Sequence, residues 1–195
     1  MLALASRTLI SALLLISLMA AARAQDATPD RTFGPIEIHF AHMLTGSGQW
    51  RTPNEDFDPE DPNGMSFYGA DYRLSDDRSH VIAEITGVTP DGRRAVFWTI
   101  YFFHNPVTGE VVSSQVGWNG ALLTGHESVL TEPLAFGDSH VSDQIAHNPD
   151  GSMHILRHEI IPVDRRTHTT QTYRRGENGS WEPQNFRTWT LQVTD

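Results

Sequence analysis

Ten histidines in a chain of 195 residues raise the question of metal or acid–base chemistry. The stretch "MHILRHEI", Met153 to Ile160, places His154 and His158 four residues apart. On a helix that spacing stacks two imidazoles about one turn apart, as in zinc motifs whose histidines are separated by three residues. On a strand the two share a face but their α-carbons lie about 13 Å apart. Each imidazole nitrogen must come within about 2.1 Å of a shared zinc, so an extended pair does not chelate by itself. The chemistry therefore depends on the element that carries the pair.

The turn-like "PVDRR" (162–166) brings 153–161 and 167–174 together as antiparallel runs. Folding about Asp164 sets His158 opposite residues near 170 and His168 opposite residues near Ile160. An enzyme of the lyase, isomerase or hydrolase type would use His154, His158 and His168 as acid–base groups. Glu84, Glu127, Asp143 and Glu159 are acids within strand-like runs that could orient such a histidine, but their spacing selects no dyad. His104 and His126 fall at strand ends near turns, where barrel mouths carry polar groups. His39 and His42 share a face if helical and oppose each other if extended. His80, His140 and His147 border turns and read as exposed.

The elements that position these residues are short and frequent. Turn signals recur at "TPDG" (89–92), "NPVTG" (105–109), "WNG" (118–120), "HNPDGS" (147–152), "PVDRR" and "RGENGS" (175–180). Between them, runs at 66–74, 80–88, 94–104, 110–118, 121–129, 139–147, 153–161, 167–174 and 186–193 are rich in β-branched and aromatic residues. The spacing predicts an all-β fold, an antiparallel up-and-down barrel of about eight to ten strands. In "RAVFWTIYFFH" both faces are apolar: Val96, Trp98, Ile100 and Phe102 alternate with Phe97, Tyr101 and Phe103. One face would line the interior, and the other points to a cover such as a second copy, so a homodimer is a candidate assembly.

The chain opens with Arg7, an apolar run from Leu9 to Ala21 and a small-residue site at Ala22-Arg23-Ala24. This pattern reads as a signal peptide over 1–24, cleaved near Ala24, with a flexible leader over 25–38 and one domain over 39–195. The apolar run is shorter than the roughly 20 residues that span a bilayer, so a periplasmic or secreted protein is expected. Losing Arg7 and Arg23 and no acid moves the formal charge from −10 to −12, which disfavours nucleic acid and anionic membranes as partners. All 14 basic residues are Arg, which excludes Schiff-base lysines and phosphate-binding loops; the absence of Cys excludes thiol nucleophiles and cysteine-ligated metals.

At "MLTGSGQW" (43–50), Gly46, Gly48 and Trp50 resemble the Gly-x-Trp start of the first strand in lipocalin-like, calycin-type barrels. The hairpin "NPVTGEVVSSQVGWNGALLTGHE" and the ending "QTYRRGENGSWEPQNFRTWTL" are similar to parts of a bacterial lipocalin-like family of unknown function, numbered 1579. The resemblance covers roughly residues 40 to 193 and implies a calycin barrel without implying a reaction.

Such a barrel can hold a small apolar molecule. The expected function is binding of a small hydrophobic or amphipathic molecule by Trp50, Tyr68, Trp98, Tyr101 and Trp118, with His104, His126 and His158 as polar anchors. Acid–base catalysis is the alternative, and a haem- or metal-binding barrel a further one. No cofactor is expected and no residue is assigned to a metal.

Overall fold

The computed structural model describes residues 33–61 and 63–193; the expected signal peptide lies outside the described residues. The compact unit Gly34–Asp195 carries every element. A short helix, α1 (Pro35–His39), precedes ten strands: β1 (Gln49–Pro53), β2 (Phe67–Leu74), β3 (His80–Val88), β4 (Arg94–Asn105), β5 (Glu110–Gly117), β6 (Leu122–Ser128), β7 (His140–His147), β8 (Met153–Asp164), β9 (Thr167–Arg175) and β10 (Trp181–Leu191). Each strand pairs antiparallel with the next, and β1 closes the barrel by pairing with both β2 and β10. Closure removes the exposed edges that would otherwise recruit other chains.

The helix shortens the expected leader of 25–38. Pro35 occupies a first-turn position, where its missing N–H costs nothing, and the Glu37 carboxylate accepts the Gly34 backbone N–H. Ile36 and Phe40, one turn apart, are buried with Met43 against Val81, Ala83, Ile100, Phe102 and Val111. This plug fills one end of the barrel, and the Glu37–Arg78 ion pair ties it to the β2–β3 turn.

Two irregularities decide which side chains face inward. In β4 the register slips so that Ile85 pairs with Trp98 but Thr86 pairs with Val96, leaving Phe97 as the extra residue of a bulge. Trp98, Ile100 and Phe102 therefore point inward, while Val96 joins Tyr101 and Phe103 on the outer, exposed face. The single apolar face expected from Val96 to Phe102 is split by that extra residue. In β8 the register slips between Pro162 and Asp164, where a buried proline needs no ladder N–H.

Candidate functional site

The barrel encloses a cavity of about 360 Å³. Its wall is apolar on the β3–β4 side, with Ile85, Trp98, Ile100 and Phe102, and mixed on the β8–β9 side, where Leu156 and Ile160 stand with His158, Thr170 and Thr172. Inward positions of β7 are polar by contrast: His140, Ser142 and Gln144 all line the space. The helical plug and the 129–139 loop, through Phe40, Met43, Leu130 and Leu134, form its closed end. The other end opens where Asn185 is exposed and Arg187 is half-buried. There a vestibule of about 270 Å³ is lined by Tyr68, Phe97, Trp98, Trp118 and Arg187.

At the closed end three residues from three elements converge. His39 of α1 hydrogen-bonds one oxygen of Glu127 through Nε2 at 3.2 Å, and His140 of β7 bonds the other through Nε2 at 2.8 Å. The two imidazoles meet edge to face with centroids 4.9 Å apart. The Leu130 backbone N–H donates to His39 Nδ1 at 3.1 Å, so that nitrogen holds a lone pair and the proton of neutral His39 sits on Nε2, aimed at Glu127. Burial by itself would raise the Glu127 carboxyl; hydrogen bonds from His140 and His39 and their charges outweigh it and hold the group down to about 2. Glu127 is thus a buried carboxylate with two imidazole donors and spare lone pairs.

Ligand atoms of His39, Glu127 and His140 lie within 4.8 Å of one another, close enough for one metal ion to reach all three. The chemistry of the donor set opposes it. A metal on His39 Nε2 requires a protonated Nδ1, which would then face the Leu130 N–H donor. The site fits hydrogen bonding to Glu127 better than it fits metal ligation.

Tyr72 also lines the cavity, and burial followed by the charge of Glu127 pushes its phenol up to about 12, so it is a hydroxyl at any physiological pH. A second polar group stands beside these, where His42 and His168 pack edge to face at 5.3 Å and Trp50 lies 4.4 Å from His168. His42 Nε2 and His168 Nδ1 are buried without a hydrogen-bond partner among the described residues. Burial, with the neighbouring His42 and His158, drives His168 down to about 3, so it is neutral and packs as an aromatic ring.

The residues singled out from the sequence divide into three groups. Tyr68, Trp98 and Trp118 come together at the vestibule, with Trp118 75% exposed. His158 and His168 line the cavity, but they are not cross-strand neighbours: His158 pairs with Thr172, which its Nδ1 approaches at 3.2 Å, and His168 pairs with Pro162. The β8–β9 turn centres on Arg165 and Arg166 instead of Asp164, and a one-residue shift in a hairpin centre displaces every partner by two. The others stand apart from the cavity lining. Trp50, 1% exposed, donates its indole N–H to the Met43 carbonyl at 3.0 Å and fills core; His154 Nδ1 accepts from the Asn148 amide at 3.3 Å. Tyr101 packs outside between His80 and Phe103, His126 lies on the outer face beside Glu110, and His104 sits past Phe102 at the end of β4.

Sequence reading named Glu127 among four acids that could orient a histidine but joined it neither to His39 nor to His140, the latter read as bordering a turn and exposed. A signal was present in β7, whose alternate residues His140, Ser142 and Gln144 are all polar although their parity with Ala146 turns them inward.

No protein-family model matches the chain, and no curated protein matches it. The resemblance carried by "MLTGSGQW" and the later turns thus stands as a likeness of fold, consistent with the closed antiparallel barrel, and assigns no activity.

Proposed function

We propose that this barrel, in the periplasm or outside the cell, binds one small apolar or amphipathic molecule in its interior. The observation that carries the reading is the cavity itself: one plugged end, a wall of Ile85, Trp98, Ile100 and Phe102, and polar groups placed among apolar ones on the β7, β8 and β9 sides and at the two ends. Ligand sites have this composition, with a few placed polar groups fixing orientation inside apolar walls. Trp98 borders both cavity and vestibule, so an occupant should change its emission. Titration with a panel of apolar probes is expected to quench tryptophan fluorescence with one-to-one saturation, and Trp98→Phe should remove much of the signal. Unchanged emission across a broad panel would sink the proposal.

A second reading is favoured by one feature. His140 donates through Nε2 to the Glu127 carboxylate, and its Nδ1 has no hydrogen-bond partner among the described residues. A carboxylate–imidazole pair beside a ligand cavity is an arrangement suited to general-base chemistry. Turnover should vanish in His140→Gln while apolar-probe binding persists.

A further inference from the structure

The two ends of the cavity differ in charge. Arg187, on β10, holds its guanidinium 4.5 Å from the centroid of Tyr68 and lines both cavity and vestibule. Among the described residues no carboxylate pairs with it, whereas Arg94 pairs with Asp71 at 2.6 Å and Arg157 with Asp143 at 2.7 Å. In a chain with 24 acids and 14 arginines, a half-buried arginine left to an aromatic face alone is an open anion site. A guanidinium offers a forked set of donors that matches a carboxylate. At the closed end the group is Glu127, an anion tied to the plug through His39 and using two of its roughly four lone-pair positions. Such a group repels a second anion and accepts from a hydroxyl.

We propose that the cavity selects a bipolar amphiphile, an apolar chain whose carboxylate sits on Arg187 at the mouth and whose far end carries a hydroxyl that donates to Glu127. The assignment rests on the ligand-binding reading above and adds the end groups. The apolar chain lies between, against Trp98, Ile100 and Leu156, where it replaces no hydrogen bond. Ligands with an anion at both ends are excluded because the second carboxylate would meet Glu127 in a setting poor in water.

Calorimetric titration of the full protein near neutral pH with dodecanol, dodecanoate, ω-hydroxydodecanoate and dodecanedioate tests this. The hydroxy acid should bind about tenfold more tightly than dodecanoate, the effect of one hydrogen bond to a charged acceptor. Dodecanoate should exceed dodecanol by a similar factor, and dodecanedioate should be the weakest of the acids. Arg187→Gln should abolish the advantage of acid over alcohol yet keep the gain from the hydroxyl. Glu127→Gln should erase that gain and admit the diacid; if this buried substitution prevents folding, the four ligands on the native protein and on Arg187→Gln still decide. Equal affinity for all four would overturn the end-group assignment and leave the apolar cavity standing. A diacid that binds as well as the hydroxy acid would overturn the role of Glu127. If none of the four binds and the apolar panel also leaves tryptophan emission unchanged, both readings fall together.

Discussion

His168 holds no charge where an exposed histidine would be half protonated, because burial and the neighbouring His42 and His158 push it down to about 3. The unfolded chain takes up a proton at this residue near its ordinary value of 6.5, and the folded chain does not. The stability contributed is full above pH 6.5 and is lost as the pH falls from there towards 3. Glu127 adds a second contribution of the same sign, present above 4.5 and lost as the pH falls towards 2. Urea midpoints should therefore fall on acidification across this window, with a total loss on the order of several kcal/mol. His168→Gln should flatten the part between 6.5 and 3; an unchanged slope would show that His168 is not the titrating group. How legible such residues were depends on how far apart their partners lie. Alternation put His154, Leu156 and His158 on one face of β8 without deciding whether that face points inward, and Glu127 meets a histidine 88 residues before it and another 13 after it, separations that no local pattern encodes.

Among the elements, strands and turns were readable because β-branched runs and Gly-Asn-Asp turns are local signals, and ten strands formed where nine runs and the Trp50 strand start were read. Parity beyond a bulge was not readable. The extra Phe97 reverses Val96 to the outside, and nothing in "RAVFWTIYFFH" marks where the slip occurs. The plug was hidden for another reason: one turn of helix shows too little of a 3.6-residue period to be seen. The link between plug and β1 depends on Gly48, which has φ of 68°, and a Cβ there would lie 2.2 Å from the Tyr72 carbonyl oxygen. That backbone is held by the Tyr72 N–H donating to the Gly48 carbonyl at 2.8 Å. Gly48→Ala thus meets both the left-handed penalty and a collision with main chain, and should cost at least about 2 kcal/mol. The expected sign is a lowered urea midpoint with an unchanged m-value; a variant as stable as the parent would contradict the geometry.

For the whole molecule, the fold is a single antiparallel circuit in which every sequential neighbour is also a spatial neighbour. The closing contact is the exception, since it joins β1 to β10 across nearly the full length of the chain. It rests on Trp50 opposite Leu191 and Arg51 opposite Thr190, with the N–H of Gln192, one residue past β10, reaching the Gln49 carbonyl at 2.8 Å. By comparison, β10 and β9 are in register from Trp181 to Thr190, interrupted by one bulge. Loop-closure entropy opposes the long-range pairing and few ladder bonds repay it. The barrel consequently has a seam, formed last in folding and first to part. Native-state hydrogen exchange should register this as faster exchange at Gln192, whose N–H crosses the seam to Gln49, than at Ile82 or Val111, in strands flanked on both sides by long ladders. A cylinder with one weak stave can breathe without unfolding, and that motion offers an occupant of the interior a sideways exit that the static mouth does not show.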